Sequence, residues 1–378
     1  MTVNEPRPAE MSPPGVYIRM ELEARGWSQV DLAQILGRAV QTVSDIVNGK
    51  RSITPETASG LAAAFGTTAQ VWMNLQTSYD LWRAAGDRGT EDVSRRARLY
   101  ELAPVAQMVK RGWIEGSDSI EVLEQRVRDF LGIPSLDDRP TPLRYAARGP
   151  GERQTEAPST ALQAWLLRAK RLAPAVSVKP FRKDSLKKVL EQFSVIRHSP
   201  EELRQVPRIL AEGGIRLIII EPLPRMKVDG GSFWLDDESP VVVLSLRYDR
   251  IDWFWHTLMH ELVHIERRDG EQWDDLSEES IEERPEAERV VEDRAADYLV
   301  AKKDLDGFIA RTRPLYSKEK IRRFAARIGV HPGIVVGQLQ HKKEVSWSHD
   351  REMLVRVRDI VADSALTDGW GHTVPVGL

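Results

Sequence analysis

The run His260-Glu261-Leu262-Val263-His264 constrains this chain more than any other feature. Histidines four residues apart on a helix share one face, where both imidazoles can reach a single tetrahedral ion at roughly 2.0–2.1 Å. Glu261 falls beside them and reaches a water on that ion rather than the ion itself, the place of a general base in metal-assisted hydrolysis. The bland alternative is a pair of surface histidines. The flanks Leu258, Met259, Leu262, Val263 and Ile265 oppose it, because they make the helix apolar nearly all round. Buried histidines need polar partners. Any fold for this chain must therefore enclose a helix from Ile251 to about Arg267 and supply a third ligand. The next helix, read from about Pro285 to Lys303, offers Glu288 and Glu292 one turn apart, among many other carboxylates in the acidic stretch 266–288.

A chain of 378 residues exceeds one compact core and reads as two or three domains. Residues 1–12 read as a loose tail and 13–80 as short amphipathic helices with clear punctuation. Residues 81–205 are a helical middle region interrupted at 132–160 by a Pro-, Gly- and charge-rich linker. In 206–345 the β-branched runs Ile215–Ile220 and Val241–Leu246 read as buried strands beside the histidine-bearing helix, and 346–378 as a C-terminal tail. The charge balance, 54 basic against 57 acidic residues, excludes a globally cationic nucleic-acid binder and restricts any DNA contact to a local patch. Cysteine is absent, which excludes disulfides, a thiolate nucleophile and a Cys-ligated zinc. No apolar run reaches the roughly 18 residues of a membrane span, and the first ten residues are not signal-like. A cytoplasmic protein is expected.

The segment Ser28–Val47 reads as two short helices joined by a tight turn. Ser28 is an N-cap supported by Asp31, Leu32, Ala33, Ile35 and Leu36 form an apolar face, and Gly37 breaks the helix. The following helix, from about Ala39, packs Val40, Val43, Ile46 and Val47 inward and leaves Gln41, Thr42, Ser44 and Asp45 outward. Short polar side chains at the N-terminal end of a second helix are what meets base edges in a helix-turn-helix. Asn48, Lys50 and Arg51 then supply a turn and two cations suited to phosphates. The alternative is a plain helical bundle with a solvated polar face. Six Lys/Arg against eight Asp/Glu in residues 1–80 make a weak electrostatic footprint.

The segments Gly15–Ile18, Glu23–Gln29, Val43–Arg51, Ile53–Ala58 and Leu61–Leu75 resemble the Xre-type helix-turn-helix of HigA-family addiction-module antitoxins. The resemblance implies a five-helix repressor domain that binds a palindromic, double-stranded operator as a homodimer, with a toxin as a further partner.

Glu288–Ala301 resembles the downstream element of the ImmA/IrrE metallopeptidases, although Val291, Arg294 and Ala301 depart from its pattern. The resemblance gives Glu288 the ligand place and Glu292 that of a partner behind a ligating histidine. Gly230–Trp234, Pro240–Trp255 and Thr257–Met259 resemble the lead-in to the motif in HigA-like proteins fused to this peptidase, and Pro104–Met108 and Arg111–Ile114 match their middle segment. His331–Gly337 resembles their closing motif, with Gln338 where an Arg is expected. His256 also departs from the pattern, standing at an apolar position; its roles remain a hydrogen-bond donor, a spare ligand or a buried neutral histidine. Tyr248 and Tyr298 are either oxyanion donors or core aromatics.

The expected fold is thus multidomain: an all-α helix-turn-helix domain, a helical middle region and an α+β zincin-like C-terminal domain with a small sheet on the metal-bearing helix. The resemblance implies a regulator carrying a zinc (or manganese) endopeptidase. It would cleave a repressor, a partner protein or the chain's own residues 132–160. The alternative is a non-enzymatic antitoxin-like repressor whose metal domain is structural or sensory. Retention of Glu261 favours the enzyme, since a structural zinc site has no use for a general base.

Overall fold

Local capping chemistry accounts for the helices at the N-terminus. The Ser28 hydroxyl accepts a bond from the Asp31 amide at 3.2 Å, while the Asp31 carboxylate accepts one from the Ser28 amide at 2.7 Å. This reciprocal cap starts α2 (Gln29–Leu36), and Gly37, with φ of 62°, ends it. Around it lie α1 (Pro14–Arg25), α3 (Val40–Val47), α4 (Pro55–Phe65) and α5 (Ala69–Ala84). They close on a core that includes Ile18, Leu32, Val43, Ile46, Leu61 and Trp72. Val40 and Ile35 differ from the sequence expectation: they are 44% and 50% exposed, flanking the turn rather than joining that core.

The computed structural model describes residues 11–84, 88–138, 145–148, 159–182, 184–268 and 279–374. The chain divides into two units, residues 1–97 and 98–378. After the first five helices come α6 (Arg88–Leu102), α7 (Val105–Lys110), α8 (Ile120–Leu131), α9 (Thr160–Leu172), α10 (Ser185–Ile196) and α11 (Val206–Glu212). The sheet of the second unit has five strands, β1 (Tyr145–Arg148), β2 (Arg216–Ile220), β3 (Gly230–Trp234), β4 (Pro240–Leu244) and β5 (Leu366–Asp368). Their order is β1-β3-β4-β2-β5; β2 runs parallel to β4 and β5, whereas β3 is antiparallel to β1 and β4.

Both faces of this sheet are buried, which explains why β2 and β4 read as continuous apolar runs instead of alternating ones. Leu217, Ile219, Val242 and Leu244 pack toward α12 (Ile251–Arg267). Ile218, Ile220, Val241 and Val243 pack with residues of α8 and α9, including Trp165, whose indole donates to the Ile220 carbonyl at 3.1 Å. Helices α8 and α9 of the middle region therefore form a second helical layer over the sheet, α10 packs on the α12 side, and the α+β expectation becomes a sheet covered on both sides. The remaining helices are α13 (Glu279–Leu299), α14 (Lys302–Thr312), α15 (Lys318–Ile328), α16 (Pro332–His341) and α17 (Arg358–Ala362).

Two boundaries change. The 132–160 linker contains β1, an edge strand; residues 139–144 and 149–158 lie outside the described residues, as do 1–10 of the N-terminal tail. The 346–378 tail is an integral part of the unit, since β5 extends the sheet and Asp368 pairs with Arg168 at 2.6 Å. Neither element declares itself locally: β5 has three residues, and its partner charge lies 200 positions away.

The Arg168–Asp368 pair is almost wholly buried, at 2% and 3% exposure, and Arg168 also donates to the Val374 carbonyl at 3.0 Å. Removing one partner strands a charge in a low-dielectric interior. Asp368→Ala should cost about 3–5 kcal/mol of stability in urea unfolding of the full chain; a loss under about 1 kcal/mol would show that the pair contributes little.

Candidate functional site

Helix α12 lies against β3 and β4 on one side and is packed by α13 and α16 on others. Every residue from Thr257 to Ile265 is buried, with His260 and Glu261 at 0% exposure and His264 at 4%. Polar groups in such a place need partners, and they find one another. The two Nε2 atoms of His260 and His264 are 3.1 Å apart. From α13, Glu288 brings Oε1 to 3.0 Å from His260 Nε2 and Oε2 to 3.8 Å from His264 Nε2. Ligands each about 2.0–2.1 Å from a shared tetrahedral ion lie about 3.3 Å from one another. The three separations straddle that value, so two imidazoles and a carboxylate fit zinc, with manganese the other ion such donors accept. Of the two acids left open by spacing, Glu288 converges on both Nε2 atoms.

The two carboxyls of the cluster differ in acidity. Burial pushes the Glu288 carboxyl up, but the His260 hydrogen bond and the charges of His260 and His264 outweigh it and leave it lowered. The shift favours the carboxylate form, the form in which a metal is held. Glu261 behaves oppositely. Its full burial raises its pKa, against the pull of the two histidines and of the Ser232 hydroxyl, which donates to Oε2 at 2.9 Å. Oε1 has no hydrogen-bond partner among the described residues. A buried carboxylate oxygen is costly unless a ligand or water meets it.

Glu292 stands behind the cluster. Its Oε1 is 3.6 Å from His260 Nδ1, an ion-pair distance, and its Oε2 is 2.8 Å from His256 Nε2. His256 is accordingly a partly buried side chain bonded to an acid. The two tyrosines are engaged elsewhere: Tyr248 lies tilted against Trp253, with ring centroids 4.4 Å apart, and Tyr298 donates to Glu266 at 3.0 Å. Sequence reasoning gave no role to Ser232 or His341. Ser232 could have been found from strand alternation opposite the helix, whereas His341 lies far from His256 in sequence and carries no local signal.

The approach of β3 to α12 depends on Gly230. A Cβ there would lie 2.7 Å from Thr257 Cγ2 and 3.1 Å from Glu261 Oε1. Gly230→Ala should therefore cost about 1–3 kcal/mol through overpacking, read by urea unfolding; an unchanged midpoint would mean that the strand can retreat without loss.

In the first unit, α3 begins after the N-cap Ala39. Gln41, Asn48, Lys50 and Arg51 are exposed, and Thr42, Ser44 and Asp45 half-buried. Gln41 donates to Asp45 at 2.8 Å and Asn48 to Ser44 at 3.2 Å. These bonds hold the polar face in order. The amides of Lys50 and Arg51 both donate to the Asp45 carbonyl, which fixes the turn that follows α3.

A family profile described as "Helix-turn-helix" matches residues 18–72. An uncharacterized HTH-type transcriptional regulator of Escherichia coli, YddM, is 34% identical over 96 residues, covering 25% of this chain and 93% of that protein. Antitoxin HigA-1 of Vibrio cholerae is 39% identical over 69 residues, covering 18% of this chain and 65% of its own length. Among solved structures, the Pseudomonas aeruginosa antitoxin HigA with the higBA promoter is 37% identical, covers 22% of this chain and 90% of that one, and has a TM-score of 0.21.

Proposed function

Because the chain belongs, through its N-terminal domain, to the helix-turn-helix family of transcriptional regulators, we propose that it is a DNA-binding regulator whose second unit is a zincin-like, metal-dependent endopeptidase of the ImmA/IrrE kind. The observation that carries the enzymatic half is Glu261: a fully buried carboxylate with one unpartnered oxygen, beside three converging ligand groups.

His260, His264 and Glu288 would hold the ion, zinc or manganese. Bound there, it supplies a Lewis acid that polarises a carbonyl and acidifies water. Glu261 does the proton work: its raised affinity suits it to take a proton from the attacking water and return it to the leaving amine. Ser232 fixes one carboxylate oxygen so that the other carries that exchange. Glu292 faces Nδ1 of His260 and orients the ring. The substrate is a repressor, a partner protein or the chain's own 132–160 segment, of which Tyr145–Arg148 would first have to leave the sheet edge.

The first unit reads a double-stranded operator with Gln41, Thr42, Ser44 and Asp45, while Asn48, Lys50 and Arg51 meet phosphates. A homodimer on a palindrome supplies the contact that one short helix lacks, and the cytoplasm is where operator and substrate meet. The likeness to antitoxin HigA-1 favours a second reading, a non-enzymatic repressor that binds a toxin.

On DNA selected by the full chain from a random pool, Gln41→Ala should cost about 1–3 kcal/mol and relax preference at one position of each half-site. Lys50→Ala should weaken binding uniformly and lower the salt slope by about one; the reverse pattern would exchange their roles.

Elemental analysis of protein purified without an affinity metal should find metal that His264→Ala loses. Glu261→Gln should retain the metal yet fail to cleave a co-expressed repressor or partner. Absence of metal uptake by the wild type would sink the peptidase reading, and equal cleavage by Glu261→Gln would remove Glu261 as the base.

A further inference from the structure

We propose that His256, Glu292 and His341 form a second site for a zinc-class divalent cation, coupled through Glu292 to the His260–His264–Glu288 cluster. One ligand atom from each of the three lies within 4.8 Å of the others. His256 sits one helical turn before His260, so α12 carries three imidazoles in a row at four-residue spacing. His341 ends α16 and brings its ring to 5.6 Å from that of His256, edge to face. Beside them is a cavity of about 30 Å³, bounded also by Asp252, Gly337, Gln338 and Trp347. It accommodates a water-sized ligand, as an ion with three protein ligands requires.

The donor chemistry selects the ion. Two imidazoles and one carboxylate favour zinc, nickel, cobalt or copper over magnesium and calcium, which prefer oxygen alone. Asp252 does not add a fourth ligand readily, because Arg250 clamps its carboxylate through both oxygens at 3.0 and 2.6 Å. His256 and Gln338 both line this cavity. A plain His256–Glu292 hydrogen bond explains one histidine but not the second at its edge. His341 is exposed, so turning its ring to the about 3.3 Å separation of tetrahedral ligands disturbs no core.

Coupling follows from Glu292, whose Oε2 faces His256 and whose Oε1 faces His260 Nδ1. A cation on this carboxylate draws negative charge from behind His260 and lowers that imidazole's basicity. The second ion therefore weakens the first, a built-in response to high metal.

The site stands on residues separate from those holding the first ion, and the test keeps the two apart. Metal-stripped full-length protein is titrated with zinc against a chromophoric chelator, with circular dichroism checking the fold of every variant. Wild type should take up two equivalents, and His264→Ala and His341→Ala one each. Glu292→Gln should weaken both steps by about tenfold or more. His341→Ala lies at the surface and tests the site even if His256→Ala fails to fold. One equivalent in wild type, untouched by His341→Ala and lost in His264→Ala, overturns this proposal and leaves the proposed peptidase site standing. One equivalent lost in His341→Ala but kept in His264→Ala supports it and sinks the peptidase site instead.

Discussion

The structure of the second unit turns on the cost of burying polar groups on α12. The helix must be enclosed to bury Phe254, Trp255, Leu258, Leu262 and Val263, yet the same turns carry two imidazoles and a carboxylate at almost no exposure. Each would be penalised by kilocalories if left without a partner. The surroundings answer part of that demand from three directions and leave Glu261 Oε1 and His260 Nδ1 without a hydrogen bond among the described residues. Strand β3 presents Ser232 to Glu261 and, through Gly230, comes close enough to do so. Helix α13 presents Glu288 and Glu292 one turn apart, toward His260, His264 and His256. Helix α16 reaches the N-terminal part of α12 through Gly337, where a Cβ would lie 2.5 Å from an Asp252 oxygen.

Enclosure also requires the sheet to be rigid beneath the helix. A sheet of short strands buried on both faces achieves this with layers of aliphatic side chains, Leu217 and Ile219 upward to α12, Ile218 and Ile220 downward to α9. Its far edge is β5, anchored by the buried Arg168–Asp368 pair. That pair joins the helical layer below the sheet to the C-terminal strand. The platform under the site is thus assembled from segments spread over more than two hundred positions.

Opposed acidities mark the cluster as chemically prepared. Glu288, half-buried, and Glu261, fully buried, lie near the same two histidines, yet one is lowered and the other raised. The difference is direct contact: Glu288 accepts from His260, whereas Glu261 has only the Ser232 hydroxyl and a drier setting. Pairs of titratable groups driven apart by their environments are a recurring feature of functional sites, in keeping with the proposed division into ligand and base.

The sequence by itself determined what is local. Spacing of four put His260 and His264 on one face, Ser28 and Asp31 announced the start of α2, Gly37 its end, and β-branched runs marked β2 and β4. These depend on periods of a few residues and on capping groups that touch their own helix. Tertiary structure decided what depends on distant partners. It chose Glu288 over Glu292 as the acid facing both Nε2 atoms, drew Ser232 to Glu261, and brought His341 to His256. It also made a strand of residues in a Pro- and Gly-rich linker and another in an apparent tail, and left Val40 and Ile35 outside the core. Such placements have no period to read: each follows from which surfaces meet when apolar layers close, and that is a property of the whole chain.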